Sequence, residues 1–344
     1  MNIIYSSDDN YAEIMGVSIL SLLENTLVNE IHIYILDNGI SDENKRKLLS
    51  LVDFYSSKIT FIDMTYIEEI VDVPIDAGHL SMATFSRLFI ASALPENVNK
   101  ALYIDCDTLI RSSIEHLFNE SLEEYIIGGV LDNITKLQKK LIFHESNDIY
   151  INAGVILIDV SKWRKFNIEN RFINYIRLFN GIVPHKDQGV INGVLKSHIK
   201  LLHPKYNYMA FLRKRTRRDL VKQTGVLNYY SESIIEEANN FPVVLHIVNG
   251  DNRPWIKGNT HYFQAEYMRY RNMTPWAGSP LREQSASSVF VFMKKKILKL
   301  LPQIILNWIC SGKILMQYHY SKKCLKNSTV RLEELCTNIK EVNT

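Results

Sequence analysis

Apolar and polar positions along the first 160 residues follow two alternating periods, which predict strands and helices in turn. Short apolar runs typical of buried strands begin the chain at 2–5 and recur at 31–38 and 58–64. Between these runs the apolar positions lie three or four residues apart, which indicates amphipathic helices. Ser41 is a candidate N-cap for the second helix. The first helix is expected to present one face made of Ile14, Met15, Ser18, Ile19, Leu22 and Leu23.

The same alternation continues further along the chain and decides the fold class. The run T-F-S-R-L-F-I-A-S-A-L-P predicts a helix over 84–95 that ends at Pro95. Apolar runs that begin at 101, 125 and 151 then predict three more strands. Strands and helices at this spacing indicate an α/β protein with a doubly wound, mainly parallel sheet and right-handed crossovers.

The composition of the 344 residues, 46% hydrophobic and 22% charged, is ordinary for a globular protein. The first ten residues lack the basic and apolar regions of a secretion signal. The four cysteines form neither a C-x-x-C pair nor a metal-finger spacing. These observations favour a reducing, cytoplasmic setting.

The net charge of +3 is unevenly distributed. Residues 281–344 contain 11 lysines and arginines against 4 acidic residues, so this tail carries +7 and residues 1–280 carry −4. An acidic body argues against a nucleic-acid-binding protein. We therefore predict a catalytic domain at 1–280 and a basic, aromatic helical tail at 281–344.

The tail interleaves lysines with large apolar residues. Its run from Ile297 to Cys310 is too short to span a bilayer and is interrupted by polar residues. Together with the lysines at Lys294–Lys296, this pattern predicts attachment to the inner surface of the cell membrane. The alternative is a helical segment that packs its apolar face on the catalytic domain.

Two aspartates interrupt an otherwise apolar stretch, A-L-Y-I-D-C-D-T-L-I. In a strand Asp105 and Asp107 would point the same way and Cys106 the other. Two carboxylates close together in a dry place resist ionisation unless a cation joins them. The alternative is that the strand ends at Ile104 and both aspartates are solvated turn residues.

Doubly wound sheets bind ligands at the carboxyl ends of their strands, which places the S-S-D-D-N-Y loop at 6–11 beside the D-x-D segment. The glycine-rich G-x-G-x-x-G and G-x-x-x-x-G-K-[ST] phosphate loops are absent from the sequence. A protein of this class without such a loop needs another way to hold phosphates, and a metal ion on the paired aspartates would provide it.

Six short motifs occur in an order that resembles glycosyltransferase family 8, a family of retaining enzymes. They are D-D-N-Y at 8–11, F-S-R-L at 85–88, Y-I-D-C-D at 103–107, I-N-A-G-V at 151–155, K-D-Q-G at 186–189 and H-I-V-N-G-D-N-R-P-W at 246–255. The resemblance covers roughly residues 1–276. It implies a single catalytic domain of the glycosyltransferase-A type and a UDP-galactose or UDP-glucose donor.

The resemblance also implies a metal site made of Asp105, Asp107 and His246. An oxygen-rich site with one imidazole nitrogen fits Mn²⁺ better than Mg²⁺, which remains a candidate. For His246 alone, the run V-V-L-H-I-V favours a hydrogen-bonded core histidine, and the R-P-W at 253–255 reverses this preference.

Further positions match the family's binding site for the nucleotide-sugar donor. A helix cap is a second role open to Asp8. One extra residue separates His246 from Gly250, and an arginine replaces the family's lysine at Arg253. The positions implied to hold the base, the ribose, the sugar or the diphosphate are Ser7, Asp8, Asn10, Tyr11, Arg87, Asp105, Cys106, Asp107, Gly250 and Arg253.

Four residues match positions around the reacting sugar: Asp132, Asn152, Asp187 and Gln188. In one hypothesis Gln188 stabilises a cationic sugar while the acceptor hydroxyl attacks the face from which UDP leaves. In the other, Asp132 or Asp187 is a covalent nucleophile. His79 matches an acceptor-side loop, and its alternative is an ordinary loop histidine. The basic run R-K-R-T-R-R at 213–218 matches no catalytic position and is interpreted as a solvated face, with contact to acceptor phosphates as the alternative.

These residues predict a peripheral enzyme of the inner membrane face that transfers a hexose to a lipid-linked oligosaccharide acceptor, such as a lipopolysaccharide core. A nucleotidyltransferase is one alternative, although such enzymes usually carry a glycine-rich basic loop after the first strand. A catalytically silent sugar-nucleotide-binding protein is another, although both aspartates and the histidine are present.

Overall fold

A computed structural model describes residues 1–26, 28, 30–55, 57–76, 81–248, 252–283, 303–328, 332 and 335, with the backbone alone at 214 and 303–311. The strands are β1 (Asn2–Ser7), β2 (Ile31–Asp37), β3 (Ser57–Asp63), β4 (Lys100–Ile104), β5 (Thr108–Ile110), β6 (Ile127–Leu131), β7 (Ile151–Asp159), β8 (Ile199–Leu201), β9 (Tyr208–Met209) and β10 (Val244–His246). The helices are α1 (Ala12–Asn25), α2 (Asp42–Val52), α3 (Ile67–Val71), α4 (Ala83–Ser86), α5 (Ile90–Ala93), α6 (Glu115–Asn119), α7 (Lys136–Lys139), α8 (Val160–Lys165), α9 (Ile168–Leu178), α10 (Lys186–Leu195), α11 (Arg217–Thr224), α12 (Glu232–Asn240), α13 (Gln264–Arg271) and α14 (Gln303–Asn327).

Seven strands form the main sheet in the order β3-β2-β1-β4-β7-β6-β8. The pairs β3–β2, β2–β1, β1–β4 and β6–β8 are parallel, whereas β7 runs antiparallel to both of its neighbours. The central strands are buried on both faces, which is why they appear in the sequence as continuous apolar runs. The prediction of an α/β fold with a mixed, mainly parallel sheet is confirmed.

The helices depart from the sequence pattern at two places. Helix α1 is buried on nearly all sides rather than on one face, and Gly16 lies where a Cβ atom would be 2.5 Å from the ring of Trp276. The single helix predicted over 84–95 is divided into α4, a 3-10 turn at Arg87–Phe89 and α5. This turn reaches the functional cleft, because the buried Arg87 lies in it.

A second sheet of three strands, in the order β5-β10-β9, was not predicted from the sequence pattern. Strand β4 ends at Ile104, and residues 105–107 form a turn that leads into β5. Strand β10 pairs with β5 so that His246 lies opposite Thr108. The D-x-D segment is therefore a turn, as the alternative interpretation held, but this turn faces a histidine on the neighbouring strand and is largely shielded from solvent.

The described part of the tail packs on the main domain through the second half of α14. Tyr320 donates a hydrogen bond of 2.9 Å to the carbonyl oxygen of Phe179, and Cys324 and Leu335 are buried in the core around α9. Leu315 and Met316 point outward and are exposed. The cluster at Lys294–Lys296 lies outside the described residues. Among the helices in the described ranges, none has the length and apolar character needed to cross a membrane.

Candidate active site

The order of strands in the main sheet creates a crevice at the carboxyl ends of β1 and β4. From β1 the chain continues outward through β2 and β3, and β4 lies on the opposite side, so the connections diverge between β1 and β4. The loop that begins at Ser7 and the turn at 105–107 leave these two strand ends. Because β7 is antiparallel, its first residues, including Asn152 and Gly154, reach the same edge.

Asp105, Asp107 and His246 form a cluster that we call the carboxylate–histidine triad. The Nε2 atom of His246 lies 3.3 Å from Oδ1 of Asp107 and 3.6 Å from Oδ2 of Asp105. One ligand atom from each residue lies within 4.8 Å of the other two. The ring Nδ1 atom is 2.9 Å from Oδ1 of Asn207, which accepts the Nδ1–H hydrogen and leaves Nε2 facing the carboxylates.

The electrostatics of the triad favour a cation. Burial alone would lower the pKa of His246, but the hydrogen bond and charge of Asp107, together with the charge of Asp105, raise it above its usual value. Burial would raise the pKa of Asp107, but His246 lowers it. The carboxylates of Asp105 and Asp107 stabilise a proton on Nε2 of His246. A divalent ion bound by the same three residues would take the place of that proton. Two carboxylates and one imidazole therefore fit such an ion.

A glycine makes room for the triad. A Cβ atom at Gly154 would lie 2.1 Å from Cε1 of His246 and 2.8 Å from Oδ2 of Asp105, distances that no real side chain allows. The backbone carbonyl of Gly154 accepts a 2.7 Å hydrogen bond from the Asp105 amide. This residue thus holds the first aspartate in place and leaves space for the histidine ring.

Arg87 orients one carboxylate of the triad from behind. Its guanidinium donates to Oδ1 of Asp105 at 2.8 Å and to the carbonyl of Ala153 at 2.7 Å, and it pairs with Asp187 at 3.1 Å. It also stacks over the ring of Tyr103, whose hydroxyl donates to the same Asp105 oxygen at 2.9 Å. Burial would lower the pKa of Arg87, but the facing Asp105, Tyr103 and Asp187 raise it, so this side chain stays charged.

A second network joins three of the four residues predicted to surround the reacting sugar, and the fourth, Asp187, lies beside it on Arg87. Gln188 donates from Nε2 to Asp132 at 2.9 Å and accepts at Oε1 from the Ala153 amide at 3.0 Å. Asn152 donates to both Asp132 and Gln188 at 3.3 Å. Asp187 pairs with Arg87, and burial raises the pKa of its carboxyl to about 6. All four residues therefore lie in one connected region.

Two clefts meet at this network. The smaller cleft, of about 350 Å³, contains the triad aspartates, Arg87 and Arg253. The larger cleft, of about 970 Å³, contains Asp132 and Asn152. His185 and Gln188 line both clefts. A molecule bound in each would therefore approach the other beside Gln188.

The loop after β1 forms one wall of the smaller cleft. Asp8 caps the turn that follows by accepting from the Tyr11 amide at 3.2 Å, so the predicted helix-cap role is present. Arg253 donates to the hydroxyl of Tyr11, while its Nε atom is buried with no hydrogen-bond partner in the described part of the chain. The unsatisfied Nε–H is a donor available to a ligand in this cleft.

Other predicted donor residues have different surroundings. Ser7 donates to the carbonyl of Asp8 at 2.8 Å, and the thiol of Cys106 donates to the carbonyl of Ser6 at 3.1 Å. Asn10 is exposed and receives a hydrogen bond from Arg282 at its carbonyl oxygen. Gly250 and the acceptor-side His79 lie outside the described residues.

Sequence reasoning missed several residues that shape the site. Asn207 fixes the tautomer of His246, and Tyr103 supports Asp105. Tyr150, within hydrogen-bond distance of Gln188 and His185, was also missed. Asn207 is a small polar residue before a short strand, and such a residue has no distinctive sequence pattern. The glycine in I-N-A-G-V, in contrast, indicates a position where another side chain approaches the backbone closely.

Known proteins resemble this chain in sequence and in fold. A family model described as glycosyl transferase family 8 matches residues 2–258. The chain belongs to this family. A Haemophilus influenzae protein, named only as a provisional glycosyltransferase, is 33% identical over 265 residues, or 76% of this chain and 74% of its own. The family resemblance predicted from the six motifs is therefore confirmed, and with it the assignment as a glycosyltransferase.

Two further relatives indicate the range of the family. The lipopolysaccharide 1,2-glucosyltransferase of Escherichia coli K12 is 24% identical over 299 residues, covering 86% of this chain and 84% of its own. The galactosyltransferase LgtC, solved with donor and acceptor sugar analogues, superposes with a TM-score of 0.69 at 24% identity, over 81% of this chain and 99% of its own. At that identity the superposition shows a shared fold.

Proposed function

We propose that this family 8 glycosyltransferase transfers galactose or glucose from a UDP-sugar to a bacterial surface glycan, with retention of configuration and with a divalent metal ion. The observation that carries the proposal is the carboxylate–histidine triad in a cleft that opens beside Gln188 into a second, larger cleft. One cleft suits a nucleotide sugar and the other an acceptor.

The chemistry of the smaller cleft supports a diphosphate leaving group. A divalent ion bound by Asp105, Asp107 and His246 would act as a Lewis acid that neutralises charge on the departing diphosphate. Arg87 keeps Asp105 oriented and charged. Arg253 lines the cleft and offers an unsatisfied N–H to the phosphates, and its guanidinium lies 5.3 Å from the ring centroid of the buried Trp255.

Mn²⁺ is the ion that we propose, because one nitrogen and two carboxylates suit it better than Mg²⁺. For the base, the proposal keeps the predicted role of Asp8 and Tyr11, which line the same cleft. The ring of Tyr11 packs edge to face at 6.4 Å on the buried Trp255 and gives this end of the cleft an aromatic surface.

Retention is proposed to follow from attack on the same face of the sugar from which UDP leaves. Gln188 is held on both sides of its amide, so its Oε1 atom stays near the junction of the clefts and can stabilise positive charge on the sugar. Asp132 orients Gln188 and Asn152. Mass-spectrometric trapping of a sugar ester on Asp132 or Asp187 would instead establish a covalent nucleophile.

The acceptor is proposed to be a lipid-linked oligosaccharide such as a lipopolysaccharide core, because the related E. coli enzyme is named for that substrate. We also propose that the basic tail attaches the enzyme to the inner face of the membrane, where such an acceptor would lie. The packing of α14 on the main domain leaves its basic residues Lys322 and Lys323 exposed.

A panel of UDP-sugars tested with Mn²⁺ in the absence of acceptor examines the donor half of the proposal. We expect slow hydrolysis of UDP-galactose or UDP-glucose to UDP and free hexose, abolished by EDTA and restored by Mn²⁺. Asp105→Asn is expected to lower the rate by at least about 100-fold. Full activity in EDTA would refute the metal mechanism, and release of pyrophosphate would indicate a nucleotidyltransferase.

A further inference from the structure

The larger cleft has an uneven distribution of charge. Asp132 lies at its inner end, next to Gln188. Arg213 is the only lysine or arginine among the described residues that line it. Two histidines also line the cleft, and burial lowers the pKa of both His185 and His261, so neither supplies a positive charge at neutral pH. The cleft thus has one negative and one positive side chain.

Arg213 is held in one orientation by an aromatic ring. Its guanidinium carbon lies 3.7 Å from the centroid of the Tyr262 ring, a close stacking contact. Stacking occupies the flat face of a guanidinium and leaves its N–H edge free to donate. Within the described part of the chain this guanidinium has neither a hydrogen bond nor an ion pair, so its donors point to solvent or to a ligand.

The other arginines of the 213–218 run differ from Arg213. Arg217 donates to the carbonyls of Tyr230 and Leu227, so it has a structural role. Arg215 donates to Gln223. Arg218 is exposed and does not line the cleft. Arg213, Arg215 and Arg218 are exposed, as the solvated-face interpretation of this run held, and Arg213 also forms part of the cleft wall.

We infer that the larger cleft binds an acceptor glycan that carries an anionic group, a phosphate or a carboxylate, which Arg213 recognises while the sugars lie along the aromatic wall. This inference rests on the proposed function. A planar guanidinium whose face is already stacked is pre-organised for two parallel hydrogen bonds to either anion. Tyr262 is 70% exposed and Phe211 lies nearby in the lining, so the wall also offers apolar surface to sugar rings.

The size of the cleft agrees with an acceptor of more than one sugar. Its volume of about 970 Å³ is nearly three times that of the smaller cleft. Asp132, at the inner end, would repel an anion placed beside the reacting hydroxyl. The anionic group is therefore expected on a sugar other than the one that receives the hexose.

The test uses the full-length protein with UDP and Mg²⁺, and measures binding of paired oligosaccharides by saturation-transfer NMR. One pair is maltose and maltose 6′-phosphate, and the other is cellobiose and cellobiouronate, so the two arms distinguish phosphate from carboxylate. We expect wild type to bind at least one anionic member roughly tenfold more tightly than its neutral partner. Arg213→Gln should remove this preference, and Arg218→Gln should retain it.

Equal affinity for both members of each pair would overturn the inference, as would a preference that survives Arg213→Gln. Absence of binding by every anionic member at millimolar concentration would also overturn it. Hydrolysis of the UDP-sugar by the same variants separates the two proposals. If the wild-type protein does not hydrolyse any UDP-sugar, the proposed function is wrong. If it hydrolyses the UDP-sugar but shows no preference for the anionic oligosaccharides, only this inference is wrong.

Discussion

At the scale of single residues, Gly154 is the position on which the triad depends most directly. Its backbone carbonyl holds the Asp105 amide, and its lack of a side chain leaves space beside His246 and Asp105. Protein interiors are close-packed, so even one methyl group in this space would have to displace the imidazole ring.

Gly154→Ala is accordingly expected to weaken Mn²⁺ binding by at least about tenfold while the protein still folds. The measurement is a calorimetric titration of UDP with and without Mn²⁺, accompanied by a thermal melt. Gly278→Ala is the matched control, because a Cβ atom there meets nothing within 4 Å. Unchanged Mn²⁺ dependence in Gly154→Ala would show that the triad is not the metal site.

Two buried histidines beside Tyr150 predict how stability depends on pH. His144 and His185 lie on either side of this ring, with centroid distances of 6.1 and 5.6 Å. Burial lowers the pKa of each to about 4. The folded state therefore binds fewer protons than the unfolded state between pH 4 and 6.5, so stability is fully present above 6.5 and falls as the pH drops towards 4.

The loss is expected to reach roughly 3 kcal/mol for each histidine near pH 4. Urea unfolding at several pH values would measure it. His185→Asn should reduce the slope, and asparagine tolerates the left-handed backbone of this position, where φ is +62°. An identical slope in wild type and in a His144→Asn/His185→Asn double variant would contradict the assignment.

The sequence predicted the reacting groups of the site better than it predicted their neighbours. Asp105, Asp107 and His246 stand out because charged residues interrupt apolar runs. Asn207 does not, since its contact with His246 arises only when β10 is in place, and Tyr103 does not, since it is one apolar residue among several in β4. Which residues touch across strands is decided by sheet order, which a single sequence does not display.

At the scale of elements, the predictions held where apolar runs were long and were wrong where elements were short. Strands β5 and β10 have only three residues each, which is too short for their apolar residues to show the alternating period of a strand. The helix expected over 84–95 fits the apolar period but is interrupted where the side chain of Arg87 turns inward to Asp105. The regular helix is therefore interrupted at the residue that forms the ion pair with Asp105.

A short segment after residue 280 joins the rim of the smaller cleft. Arg282 pairs through its backbone with Trp255 and Lys257, at 3.1 and 2.8 Å, and its side chain donates to the carbonyl of Asn10. Its guanidinium also lies 5.7 Å from the centroid of the Tyr11 ring. This arginine therefore links the loop that contains Arg253 to the loop after β1.

Arg282→Ala is expected to raise the Kd for UDP in the presence of Mn²⁺ by about tenfold, because both loops lose a shared anchor. Calorimetry would measure the change. Lys257→Ala is the control, since its exposed pair with Glu283 lies in the same segment but contributes little. Equal UDP affinity in Arg282→Ala and wild type would mean that the loops hold their positions independently.

At the scale of the whole molecule, the tail is proposed both to stabilise the fold, by packing on the core, and to attach the protein to a membrane surface. A truncation and a charge-removing variant can separate these two roles. Truncation after Glu283 retains Arg282 but removes Cys324 and Leu335 from the core around α9. We expect this variant to melt at a lower temperature, to retain UDP-sugar hydrolysis, and to lose co-sedimentation with anionic liposomes at low salt.

Replacement of Lys294–Lys296 by glutamine is the matched variant, because it removes charge without removing α14. It should reduce liposome binding while the melting temperature stays near that of wild type. Liposome binding that is unchanged in both variants would exclude the tail as the membrane attachment. A normal melting temperature after truncation would show that the packing of α14 contributes little to stability.

The contact between Arg282 and Asn10 also has a consequence for biosynthesis. The loop at 8–11 is synthesised before its partner arginine, which follows about 270 residues later in the chain. At translation rates of about 5–20 residues per second, that interval lasts roughly 15–50 seconds. Strand β4, which pairs with β1, and the later strands β6 to β10 are all made during this interval, so most of both sheets precedes this contact. The rim of the smaller cleft is therefore among the last features to be completed.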